Sequence, residues 1–135
     1  MSERTIRLIH HVSTGVLAAL LAALTIAYFT VPYFAEGNLH LGFPDWFRYA
    51  LGAGKALGAI ALVANVSPRM KTLAYDGLAI MFVCAAIAHP MAGDPPATAL
   101  GGVFAMTLLV ASCLTATKPS ATDGPTVLHA GQHAA

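Results

Sequence analysis

The chain has 135 residues, of which 57% are hydrophobic and only 10% charged, against about 25% charged in an average soluble domain. So little polar surface cannot cover a globule this small, which argues against a soluble monomer. Seven Lys and Arg against six Asp and Glu give a net charge of +1, so no basic face is present for nucleic acid. Two cysteines are too few for a disulfide scaffold.

Charge gaps divide the chain. No Lys, Arg, Asp or Glu occurs between Arg7 and Glu36, and the apolar core there, 12–31, is twenty residues long. Stretches 49–68 and 72–93 contain one charge each, Lys55 and Asp76, and 95–117 contains none. About 20 apolar residues at 1.5 Å rise cross a roughly 30 Å hydrocarbon layer. The pattern lacks the two-residue alternation of a barrel strand and predicts an all-α fold, an integral membrane four-helix antiparallel bundle. The expected spans are 9–31, 47–66, 72–90 and 97–117 within a domain 1–118, followed by a disordered cytoplasmic tail, 119–135. The first run exceeds the about 7–15 apolar residues of a secretory signal, so it is read as a retained helix.

The longest connector, 32–49, is expected to be ordered, with Phe34, Leu39, Leu41, Phe43, Trp46 and Phe47 capping the bundle. Arg4, Arg7, Arg69, Lys71 and Lys118 fall at one side of a four-span topology. The positive-inside rule then gives a multi-pass cell-membrane protein with both termini cytoplasmic. Tyr28, Tyr33, Trp46 and Tyr49 mark the outer boundary as interface aromatics do.

Lys55 is the most informative residue. An ionisable group inside an apolar run usually faces a cavity or a partner. Arg48 lies seven positions earlier, about 20° from the same helix face at 100° per residue. Together they form a cationic row running down from the outer surface, flanked by Gly52, Gly58 and Ala59, which allow close helix approach. The competing reading is that the Lys55 stem lifts its ammonium to the interface. Asp76 is either a partner-binding carboxylate or a wet group at the inner interface, and its depth argues against contact with Lys55. His40, His89, Asp94 and Arg48 could meet as a polar cluster at the outer mouth; a helix-end histidine bonded to backbone or water is the plainer alternative.

No metal site and no built-in cofactor are expected. The histidines lie near span ends rather than facing each other mid-membrane as haem ligands do. Cys84 and Cys113 show no C-x-x-C and are read as core packing. The binding candidates are therefore Lys55, Arg48, His89, His40, Asp94, Asp76 and Trp46, around a pocket open to the outer leaflet with Lys55 at its floor. Thr107 and Ser112 are candidate acceptors for the ammonium. Catalytic residues are unknown. Proton-transfer chemistry needs a paired acid and base, which the chain lacks, although a small membrane enzyme or transporter for an apolar substrate stays open.

From residue 39 to 118 the order of features resembles the DoxX-like family of small four-helix membrane proteins. The matching stretches are HLGFPDWF (40–47), LGAGKALGAIAL (51–62), SPRMKTLAYDG (67–77), AAIAH (85–89) and Gly93 with Asp94. Asp76 stands where the family pattern leads one to expect a small or apolar residue. The family name derives from a membrane subunit associated with thiosulfate:quinone oxidoreductase, and a relative acts as a receptor-assembly chaperone. The resemblance therefore implies an accessory subunit of a membrane oxidoreductase complex that binds a quinone or lipid, or else an assembly scaffold. Membrane lipids and protein partners, or a homo-oligomer, are the partners it implies.

Overall fold

The computed structural model describes residues 1–116. The tail expected at 119–135 lies outside the described residues, as does the end of the fourth expected span. The described residues form α1 (Glu3–Thr30), α2 (Pro32–His40), α3 (Asp45–Val63), α4 (Pro68–Met91), a 3₁₀ turn (Pro96–Ala99) and α5 (Leu100–Thr115), with no strand among them.

Capping explains the boundaries. α1 starts six residues before the expected position because Ser2 Oγ accepts a hydrogen bond from the Thr5 N–H at 3.3 Å. The apolar run marked only the part of that helix suited to lipid. Ser67 caps α4 in the same way through the Met70 N–H, with Pro68 in the first turn. Gly42 and Gly93, at φ +82° and +80°, turn the chain after α2 and α4, in the left-handed conformation that glycine adopts without strain.

The segment 32–49 is not a loop. Val31 is held extended ahead of Pro32, which breaks α1 and starts α2, and α3 already begins at Asp45. Phe34, Leu41, Phe43 and Phe47 are half-buried as a cap would be, but Leu39 turns outward and Trp46 is 66% exposed. A buried Asn38 holds α2 together by donating from Nδ2 to the Phe34 carbonyl at 3.0 Å.

The four long helices make a ring. α1 lies against α3 and α5, α4 lies against the same two, and α1 and α4 sit diagonally. Three segments, α1, α4 and Pro96–Thr115, are long and apolar enough to cross a membrane. The third side of the ring, α3, has 19 residues but carries Asp45, Arg48 and Lys55, which dilute its apolar character. The core is thin: Leu17, Leu21, Ala59, Leu62, Leu78, Phe82, Ala105 and Leu109, with Ala18 beside them. Large side chains such as Ile26, Leu57, Ile80 and Leu114 point outward, the arrangement that suits lipid rather than water as solvent. Cys84 and Cys113 are also exposed, not core; each lies on an outward face of its helix, where an apolar thiol suits lipid as well as it suits a core.

Candidate functional site

The α1–α3 seam is built on glycine. A Cβ on Gly52 would lie 2.8 Å from the Phe29 ring, and one on Gly58 would lie 2.9 Å from Leu78. Side chains at these positions would hold the helices apart; without them α3 seats closely on both neighbours. Thr25 Oγ1 lies between helices, donating to its own Leu21 carbonyl at 2.8 Å and reaching the Gly52 carbonyl at 3.2 Å.

Lys55 is carried into this seam. It stands ten residues after Asp45 and eight before Val63, hence about 15 Å and 12 Å from the two ends of α3. It is only 6% exposed. Its ammonium sits 4.0 Å from the centroid of the Tyr28 ring, a cation–π contact strengthened by the low-dielectric surroundings. No acceptor oxygen among the described residues completes it. No side-chain nitrogen or oxygen there is both sealed and unpaired, so the ammonium keeps a narrow opening to its surroundings. Ser112 and Thr107, the acceptors expected from sequence, are engaged elsewhere: Thr107 Oγ1 donates to the Val103 carbonyl at 2.9 Å.

Arg48 shares the face of Lys55 but not its situation. Its Nε donates to Asp45 Oδ1 at 2.7 Å and its Nη1 to the Tyr28 carbonyl at 2.9 Å, and its Nη2 bonds the Tyr49 hydroxyl. The guanidinium also lies over the Tyr49 ring. It thus satisfies a carbonyl at the end of α1, and Asp45 balances its charge. The expected cationic row resolves into one neutralised cation and one uncompensated cation beneath it.

His40, Asp94 and His89 do meet, without Arg48. Gly93 folds the chain back so that the Asp94 N–H donates to the His89 carbonyl at 3.1 Å. That brings Asp94 Oδ2 to 2.6 Å from His89 Nδ1, while Oδ1 lies 2.9 Å from Nε2 of His40 on α2. The His89 hydrogen bond, with His40 assisting and partial burial opposing, holds the Asp94 carboxyl below its usual range. Asp76 lies apart from both groups: it is exposed on α4 and forms no ion pair among the described residues. Trp46 lies outward at the start of α3.

Two features were not anticipated. Ser112 on α5, fully buried, joins three helices through its Oγ, which lies 2.5 Å from Thr14 Oγ1 and 2.8 Å from the Tyr75 hydroxyl. His10 Nδ1 adds a bond to the Ser112 carbonyl at 3.0 Å. The signal available in sequence was a set of hydroxyls inside otherwise apolar runs. The second feature is an apolar groove of about 630 Å³ between α4 and α5, lined among others by Phe82, Ile87, Val103, Met106 and Val110. It does not include Lys55, Arg48 or His89.

A helical ring with outward apolar faces and three apolar segments of spanning length defines a multi-pass membrane protein. The profile of the DoxX-like family matches residues 12–112, and the chain belongs to that family. No curated protein and no solved structure matches it.

Proposed function

We propose that this protein is a non-catalytic accessory subunit that holds an oxygen-bearing amphiphile, a quinone or a lipid, against Lys55 for a membrane oxidoreductase complex. The observation that carries the reading is the Lys55 ammonium, buried near the middle of α3 and stacked on Tyr28, with no acceptor among the described residues. A desolvated cation needs hydrogen-bond acceptors or a counter-charge. Arg48 already has Asp45 and Lys55 has none among the described residues, so a carbonyl or anionic headgroup supplies what these residues do not. The same reading puts both termini in the cytoplasm, with Arg4, Arg7, Arg69 and Lys71 on that side.

The test uses the full chain purified into lipid nanodiscs, with bound amphiphiles identified by native mass spectrometry and by competition with a short-chain benzoquinone or phosphatidylglycerol. Lys55→Met keeps the stem and removes the charge; Lys55→Arg keeps the charge. The expected result is loss of the bound molecule in Met and retention in Arg. Unchanged binding in Met together with higher thermal stability makes Lys55 a stacked cation only and overturns the reading. Recovery of redox-enzyme subunits with the wild-type protein supports the accessory role, and turnover by the isolated protein refutes it.

A further inference from the structure

α4 carries a stripe that the other described residues leave uncovered. Leu73, Asp76, Ile80, Val83 and Ile87 are all exposed. At 100° per residue, Ile80, Val83 and Ile87 lie within about 40° of Asp76, whereas buried Leu78 lies about 160° away. Asp76 therefore points directly out of the bundle.

Its depth matters. α4 has 24 residues, about 36 Å at 1.5 Å per residue, or about 3 Å beyond a 30 Å hydrocarbon layer at each end. Asp76 is eight residues after Pro68, about 12 Å along the helix, and so about 9 Å inside the layer. Lysine can lift its charge along four methylenes, but aspartate has one. A carboxylate held at that depth against lipid requires a partner, and this chain provides none among the described residues. Next to it, a Cβ on Gly77 would meet nothing within 4 Å, and the α4–α5 groove adjoins the stripe through Val83 and Ile87. A helix laid along α4 would find apolar contact above the carboxylate and close backbone approach beside it.

Charge decides the occupant. Copies of one protein share an orientation in the membrane, so two-fold packing through α4 sets Asp76 level with Asp76 and Arg69 level with Arg69. Both are like-charge pairings. We infer that the stripe is a docking surface for a transmembrane helix of a different protein, which brings a lysine, arginine or histidine to the depth of Asp76. This inference does not rest on the reading of Lys55.

The test uses the full chain in phosphatidylcholine vesicles with synthetic transmembrane helices as probes. The host is a Leu–Ala helix without tryptophan, bearing a dansyl acceptor and one lysine about 9 Å inside one interface; its control has leucine at that position. The protein's single tryptophan, Trp46, serves as energy-transfer donor. The lysine helix is expected to bind about tenfold more tightly than the leucine helix. Asp76→Asn, nearly isosteric, is expected to erase that preference, and Asp76→Glu to keep it. Equal binding of both probes by the wild type, or a preference that survives in Asp76→Asn, overturns the inference. Self-association of the chain that disappears in Asp76→Asn assigns the stripe to a second copy and overturns it as well.

Discussion

The α1–α3 seam and the α4–α5 edge are made of similar residues and have opposite characters. Both are rich in glycine and alanine. At the seam the space left by a missing side chain is filled from α1, by Phe29 against Gly52, and on the other side of α3 it is filled from α4, by Leu78 against Gly58. At the edge it is not filled: a Cβ on Gly102 would meet nothing within 4 Å, and a groove remains. A small residue in a membrane helix is thus permission for contact, and what it becomes depends on the bulk of the residue across from it. The seam closes around a cation, and the edge stays open to whatever lies beside it.

The contrast can be broken most directly at Gly58. Leu78 is 2% exposed and has nowhere to move, so Gly58→Ala is expected to cost about 1–3 kcal/mol by overpacking, read as a lower midpoint of thermal unfolding in detergent. Gly52→Ala should cost less, because Phe29 is 46% exposed and its ring can swing away. The Ser112 junction comes next. Ser112→Ala removes the shared hydroxyl from Thr14 and Tyr75 and is expected to cost about 1 kcal/mol, between the average of about 0.6 and the maximum of about 1.7 for interhelical hydrogen bonds in membranes. Gly102→Ala, on the open side, has the opposite sign: better helix propensity with no clash raises stability by at most about 1 kcal/mol.

How much of this was legible in the sequence follows from which interactions are local. Charge gaps revealed the long helices because burial in lipid acts on each segment separately. α2 was hidden because its nine residues bear no apolar period, and its start depends on the Val31–Pro32 junction. His40, His89 and Asp94 could be grouped because all three fall at connector ends. Arg48 was misplaced within that group because Asp45, three residues before it, and the Tyr28 carbonyl of another helix hold it instead, and carbonyls have no signature in sequence. The Ser112 junction was missed for a related reason: residues 14, 75 and 112 become neighbours only after the ring closes.

The smallest expected effect is one of pH. The Asp94 carboxyl is held below its usual range by His89, so its contribution to stability is present above the unfolded value, about 3.9. It is lost as pH falls through the lower folded value. Asp94→Asn should therefore lack one component of the acid destabilisation seen in the wild type below about pH 4. Acid titration of the unfolding midpoint checks this, and superimposable curves for the two proteins would remove Asp94 from the account.

Tyr28 has one ring and two tenants. The Lys55 ammonium lies 4.0 Å from its centroid, and the Phe34 ring of α2 lies 4.6 Å away at a tilt of 33°. A rotation of the tyrosine that releases one contact also disturbs the other. α2 and the lysine therefore rest on the two contacts of one ring, and α2 is tied in turn to the connector after α4 by the His40–Asp94 bond.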